Sequence, residues 1–188
     1  MTPNYDNLIS EVADAISQHF KKWVTEHSTD EIYAYVVYAT PLVSSIAISV
    51  MTEQGLREVA SDYKTKYEYD EPLEKLITDL RWSVADTPYC GDYQELFETV
   101  NDRLGAMMSY VDSLDYDDPA LTIHTRTLCS ILVNALNGFR QDTLRGENRP
   151  LLYVDFGDMS DEERLGFIQQ CNRPAMVEWY TSSINGAG

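Results

Sequence analysis

The chain is 188 residues long, 44% apolar and 24% charged, and its 31 Asp and Glu against 14 Lys and Arg leave a net charge of −17. This is enough chain to bury a real core, and the composition is too apolar for a disordered protein. No apolar run is long enough to span a membrane, and residues 1–10 lack the basic start and apolar stretch of a secretory signal, so the expected location is the cytoplasm.

From Tyr5 to about Glu26, Leu8, Val12, Ala15, Ile16, His19, Phe20 and Trp23 recur at three- and four-residue steps with Glu11, Asp14, Gln18 and Lys22 between them, the pattern of an amphipathic helix. After a turn at His27–Asp30, Glu31–Thr40 carries Ile32, Tyr33, Ala34, Tyr35, Val36, Val37 and Tyr38. Both alternating faces are apolar, as in a strand covered on two sides. Pro41 stops it, and Val43–Met51 sets Ile46, Ile48 and Val50 against Ser45, Ala47 and Ser49. So short a connection predicts an antiparallel hairpin. From Thr52, a candidate N-cap, Leu56, Val59, Ala60 and Tyr63 share a helical face. Pro72 suits the first position of a short helix through Leu73, Leu76 and Ile77.

Alternation at Leu80, Trp82 and Val84 then predicts a third strand over Asp79–Val84, while Pro88 and Gly91 make Thr87–Asp92 a loop. Gln94–Tyr110 and Leu121–Phe139 return to helical spacing around a surface loop at Asp112–Pro119. Arg140–Arg149 reads as a loop or a frayed helix end, and Leu151–Phe156 as a short strand. Ser160-Asp-Glu-Glu163 is a capping box opening a helix over Asp161–Cys171. Asn172-Arg-Pro174 ends that helix and leaves a mixed tail, Met176–Ile184, that packs through Trp179 and Tyr180. The whole of 1–188 reads as one α+β domain, a small and mainly antiparallel sheet of about four strands packed with several helices.

The acidic excess spreads along the whole chain, and plain solubility accounts for it by itself. Two stretches concentrate it. Tyr67–Glu71 holds Glu68, Tyr69, Asp70 and Glu71 with no base inside, and Asp112, Asp115, Tyr116, Asp117 and Asp118 lie in a run free of Lys and Arg from Leu104 to Thr125. Such a surface repels nucleic-acid phosphates and anionic lipids and attracts a basic protein. Tyrosine, with 13 copies, adds rigid amphipathic anchors beside the acids. These nine residues are the candidate partner-binding set.

No residue pattern identifies a reaction, a metal or a cofactor. Cys90, Cys129 and Cys171 are isolated thiols that fit neither a disulfide framework nor a zinc site, and Cys90 beside Gly91 is the one candidate reactive thiol. His19, His27 and His124 are far apart, and His19 and His124 read as packing residues. Asp155-Phe156-Gly157 has the letters of the kinase magnesium motif without its companions, so Gly157 reads as a strand-to-loop turn. The Asp112–Asp118 spacing is not an EF-hand.

Leu80-Arg-Trp-Ser-Val-Ala-Asp86 followed by Pro88-Tyr89, with Asp30-Glu-Ile-Tyr-Ala-Tyr35, Thr52-Glu-x-Gly55, Phe97-x-x-Val-Asn101 and the late Leu151–Phe156 strand, resembles a bacterial family classed as domain of unknown function 4303. The resemblance spans nearly the whole chain, with Thr87 where many relatives are expected to carry Trp. It implies no reaction. It does imply a role, because some similar small acidic domains are encoded beside polymorphic toxins and behave as immunity proteins. The expectation is a non-catalytic, cytoplasmic protein whose partner is a basic toxin domain. Two alternatives stay open: an enzyme with a pocket around Arg81, Asp86 and Cys90, joined by His124, and a scaffold or regulatory binding domain. Arg81, Trp82, Ser83 and Asp86 also admit a purely structural role, with Trp82 packed inward and Arg81 paired with a carboxylate.

Overall fold

Strand β1 (Ile32–Ala39) lies at the centre because both of its faces are apolar and both are covered. A computed structural model describes residues 3–144 and 150–185, so most of the stretch after Arg140 that reads as a loop lies outside them. Strand β2 (Ile46–Thr52) pairs with β1 as the expected antiparallel hairpin, and β4 (Leu151–Asp155) pairs with its other side in parallel. A two-residue strand β3 (Tyr89–Cys90) adds antiparallel to β2, giving the order β3-β2-β1-β4.

The sheet divides the apolar interior into two layers. On one face, Tyr35, Val37, Ile46, Ile48, Val50, Leu152 and Val154 meet α1 (Leu8–Glu26), α4 (Glu98–Val111) and α5 (Pro119–Asp142). On the other, Val36, Met51, Leu151 and Tyr153 meet α2 (Glu53–Thr65), α3 (Leu73–Leu80), α6 (Asp161–Cys171) and α7 (Pro174–Asn185). A bulge between Ile32 and Ala34 turns Tyr33 and Ala34 to the same side, and there the Tyr33 hydroxyl donates to the Arg81 carbonyl at 2.7 Å. The chain is α+β, with seven helices and four strands among the described residues.

Three local expectations are corrected. Asp79–Val84 is not a strand: α3 runs on to Leu80 and a 3-10 turn spans Val84–Asp86. The Leu73, Leu76, Ile77, Leu80 spacing is one continuous helical stripe, and it outweighs the three-point alternation that follows. The third strand instead comes from Thr87–Asp92, expected as a loop. Pro88 precedes the paired residues, so its missing N–H costs the ladder nothing, and Gly91 at φ 82° turns the chain away. The tail is a helix, α7, in which Pro174 begins the element that it was expected to precede as a breaker, and Met176, Val177, Tyr180 and Ile184 face the second layer. The Thr52 cap and the Ser160–Glu163 capping box form as expected.

Two polar groups sit deep in these layers. His19, on the apolar face of α1, is fully buried between Tyr35 and Tyr93. Its Nδ1 accepts from the Tyr35 hydroxyl at 2.8 Å and its Nε2 donates to the Asp92 carbonyl at 3.1 Å, the pattern of a neutral ring. Burial pulls its pKa down to about 4 against the partial opposition of the Asp92 carbonyl. At the end of β4, Asp155 is 1% exposed and accepts from Arg164 Nε at 2.8 Å and from the Gly157 N–H at 2.7 Å. Gly157 itself turns at φ 79°, where a Cβ would come within 2.8 Å of the Tyr38 hydroxyl.

Two outcomes follow for urea unfolding. Arg164→Met leaves the Asp155 charge uncompensated and lowers stability by about 3–5 kcal/mol. For His19, the unfolded ring binds a proton below pH 6.5 while the folded ring resists it to about pH 4, so acidification favours unfolding. The stability it contributes is whole above pH 6.5 and is lost as pH falls towards 4. Between pH 7 and pH 5 the wild type loses about 2 kcal/mol more than a His19→Gln variant.

Candidate functional site

Helix α2 starts where β2 ends. The Thr52 hydroxyl accepts from the Gly55 N–H at 2.9 Å, and the missing side chain of Gly55 lets the helix press against Pro88, where a Cβ would approach to 3.0 Å. Packing α2 against the 84–88 turn leaves one helix face bordering that turn, and this face carries Glu58 and Asp62, Val59 and Tyr63, two pairs four residues apart. Past the end of α2 the backbone folds back. The Lys66 and Tyr67 N–H groups both donate to the Asp62 carbonyl, and the Tyr69 N–H donates to the Tyr63 carbonyl at 3.1 Å. Glu68 takes the left-handed conformation at φ 57° that this reversal needs.

The result is a groove of about 450 Å³ walled by Glu58, Asp62, Tyr63, Tyr67, Tyr69 and residues 85–88. Tyr67 and Tyr69 stand edge-on to the Tyr63 ring with centroids 5.5 and 5.1 Å away. The Tyr63 hydroxyl donates to Asp86 Oδ1 at 2.9 Å, and Ser83 Oγ donates to the other oxygen. That hydrogen bond to a carboxylate, with burial second, raises the Tyr63 pKa above its ordinary value, so the phenol keeps its proton and its role as donor. Lys66 pairs with Asp62 at 2.7 Å, while Glu58 makes no ion pair among the described residues. Among the described residues no cationic side chain lines the groove. Its chemistry therefore suits a cation that can also lie against aromatic rings.

The two acidic stretches fall in different places. Tyr69 lines the groove, with Glu68 and Asp70 exposed beside it and Glu71 paired with Lys75 at 3.2 Å. Asp112, Asp115, Tyr116, Asp117 and Asp118 form the connection between α4 and α5, helices that cover the opposite face of the sheet, so the fold does not bring the stretches into one groove. Asp118 caps α5 by accepting from the Ala120 N–H at 2.8 Å, and Tyr116 is 97% exposed. Sequence reading passed over Glu58 and Asp62 and took Tyr63 only as part of an apolar helical face. The available signal was their shared helical face one turn before Tyr67.

The residues of the enzyme alternative are spread apart. Arg81 is held bidentate by Glu53 at 2.6 and 3.0 Å and lies over the Tyr33 ring, while Trp82 packs edge-on against Tyr33, Trp179 and Tyr180. Asp86 belongs to the Tyr63 groove. Cys90 pairs with Ser49 in the sheet, and burial raises its thiol pKa, which lowers its thiolate fraction. His124 is buried on α5, in the other layer, against the Tyr5 hydroxyl at 2.5 Å. These four side chains do not share a cleft. Among the described residues no three His, Cys, Asp or Glu are grouped as a metal ion would need, and no helix is long and apolar enough to cross a membrane.

The family model of a domain of unknown function, DUF4303, matches residues 12–172, and the chain belongs to that family. No curated protein and no solved structure matches it. Two of the short motifs that carry the resemblance, Thr52–Gly55 and Leu80–Asp86 with Pro88, help to frame the groove. Thr52 caps α2, Glu53 holds Arg81, Gly55 admits Pro88, and Ser83 with Asp86 anchors Tyr63. Thr87 donates to the Val50 carbonyl at 2.7 Å and ties the turn to the sheet.

Removing one donor from Asp86 tests this frame. Tyr63→Phe should cost about 1 kcal/mol in urea unfolding, below the usual range for a hydrogen bond to a charged group because the site is partly solvated. In the same variant the aromatic proton shifts of Tyr67 and Tyr69 should move towards those of free tyrosine.

Proposed function

We propose, on the premise of that family, that this chain is a non-catalytic binding protein of the cytoplasm that clasps a basic protein, and that the partner is a bacterial toxin domain it neutralises as an immunity protein. The observation that carries the reading is the Tyr63 groove. Tyr67 is 66% exposed and Tyr69 50% exposed, and with exposed Leu73 they bring three large apolar side chains to the surface within seven residues, beside carboxylates. Rigid aromatic anchors beside Glu58, which makes no ion pair among the described residues, are what a Lys- or Arg-rich surface would meet best. The ring faces take the aliphatic stem or the guanidinium plane, and Glu58 takes the charge, beside the Asp62 already paired with Lys66.

The net charge of −17 adds long-range attraction, and the Asp112–Asp118 loop extends it over the other layer. Blockade follows from occupancy alone. If the toxin is a nuclease, the carboxylates stand where its cationic cleft would hold phosphates.

Co-expression with the product of the neighbouring gene tests the reading. The expected result is a co-purifying complex, protection of growth, and an affinity that falls as salt rises. Tyr67→Ala and Tyr69→Ala should each weaken binding by about tenfold or more, and Glu58→Lys should slow association, with unfolding midpoints unchanged. Absence of binding and protection, or binding indifferent to both salt and these substitutions, would reject it.

A further inference from the structure

An asparagine closes the outer side of β2 beyond the reach of the short β3, and another closes the outer side of β4. On the β2 side the Ile46 N–H donates to Asn101 Oδ1 at 2.8 Å, and Asn101 Nδ2 donates to the Ile46 carbonyl at 3.0 Å. On the β4 side the Leu152 N–H donates to Asn172 Oδ1 at 3.0 Å, and Asn172 Nδ2 donates to the Leu152 carbonyl at 2.5 Å. In each case one carboxamide satisfies both backbone groups of a single strand residue. Those are the two bonds that a residue of an added antiparallel strand would make.

The surroundings hold these side chains in place. Asn101 sits on α4 and Asn172 at the end of α6, where its Nδ2 also donates to the Ile168 carbonyl at 2.8 Å. The remainder of the β2 border is taken up as well: the Gly91 N–H donates to the Ile48 carbonyl at 2.9 Å, and Gln94 Nε2 adds a donor to Ile46 at 2.9 Å. Closure matters here because β4 is buried along its whole length and is rich in Leu, Tyr and Val, the kind of strand that pairs with another chain when its edge is open.

We infer that Asn101 and Asn172 are edge plugs: they close the outer sides of β2 and β4 to strand addition where β3 does not reach, prevent pairing with a second copy of the chain there, and leave side-chain surfaces as the means of holding a partner. The last clause rests on the binding reading above; the self-pairing claim does not.

The test uses the full chain. In the wild type, the Ile46 and Leu152 amides should exchange with deuterium as slowly as ladder amides of β1. Exchange as fast as that of exposed loop amides overturns the inference. In Asn101→Ala and Asn172→Ala, exchange at the adjacent strand residue should accelerate at least tenfold, and sedimentation should show oligomers that grow with concentration. Variants that fold and stay monomeric over the same concentration range overturn it. Should the alanine variants unfold, Asn101→Asp and Asn172→Asp keep the acceptor and lose the donor, and the same criterion applies to them. A chain that finds no toxin partner but whose variants self-associate refutes the binding reading and leaves the plugs standing.

Discussion

The constraint on which the structure turns is the burial of β1 on both faces. A strand covered on two sides has no water for its backbone groups, so every N–H and C=O must find a partner within the sheet. The hairpin supplies β2 on one side, and β4, far along the chain, supplies the other. Apolar side chains on both faces then call for helices on both faces. Tyr35 shows the packing that results, stacked on Phe139 and edge-on to Phe20 at ring separations of 5.5 Å, with its hydroxyl bound to His19.

A sheet only four strands wide, with β3 just two residues long, leaves the outer side of β4 and much of that of β2 one strand from that centre. The narrowness explains why polar side chains, and not further strands, finish it. It also explains the groove. With β3 reduced to two residues, the Val84–Pro88 segment runs beside α2 instead of extending the sheet, and the space between helix and segment opens beneath Tyr67 and Tyr69. Local backbone reversal at Glu68 and the Ser83–Asp86–Tyr63 chain of hydrogen bonds keep the rings at the groove mouth. The same residues that stabilise the turn therefore shape the groove.

The buried Asp155–Arg164 pair and the neutral His19 mark the opposite tendency, polar groups drawn inside where geometry satisfies them. Each stays buried because its partners are fixed by backbone: the Gly157 N–H for Asp155, the Asp92 carbonyl for His19. Neither borders the Tyr63 groove, where Asp86 is the carboxylate that both holds the fold and lines the surface.

Periodicity and local chemistry were enough to read α1, the two-faced β1, the hairpin, the Thr52 cap and the Ser160–Glu163 box, because each depends on residues within a few positions of one another. The acidic balance and the tyrosine-rich Tyr67–Glu71 stretch were legible for the same reason. The place of β3 was not, since two residues carry no period and only the β2 border decides that they pair. Nor was the role of Asn101, 55 positions from the Ile46 groups it satisfies, or the meeting of Glu58, Asp62 and Tyr63 with Asp86 across the Gly55–Pro88 contact. Short-range spacing is written in one dimension; which polar groups meet across the sheet border, and which acids face a shared space, is settled when buried backbone groups compete for the few partners that folding brings within reach.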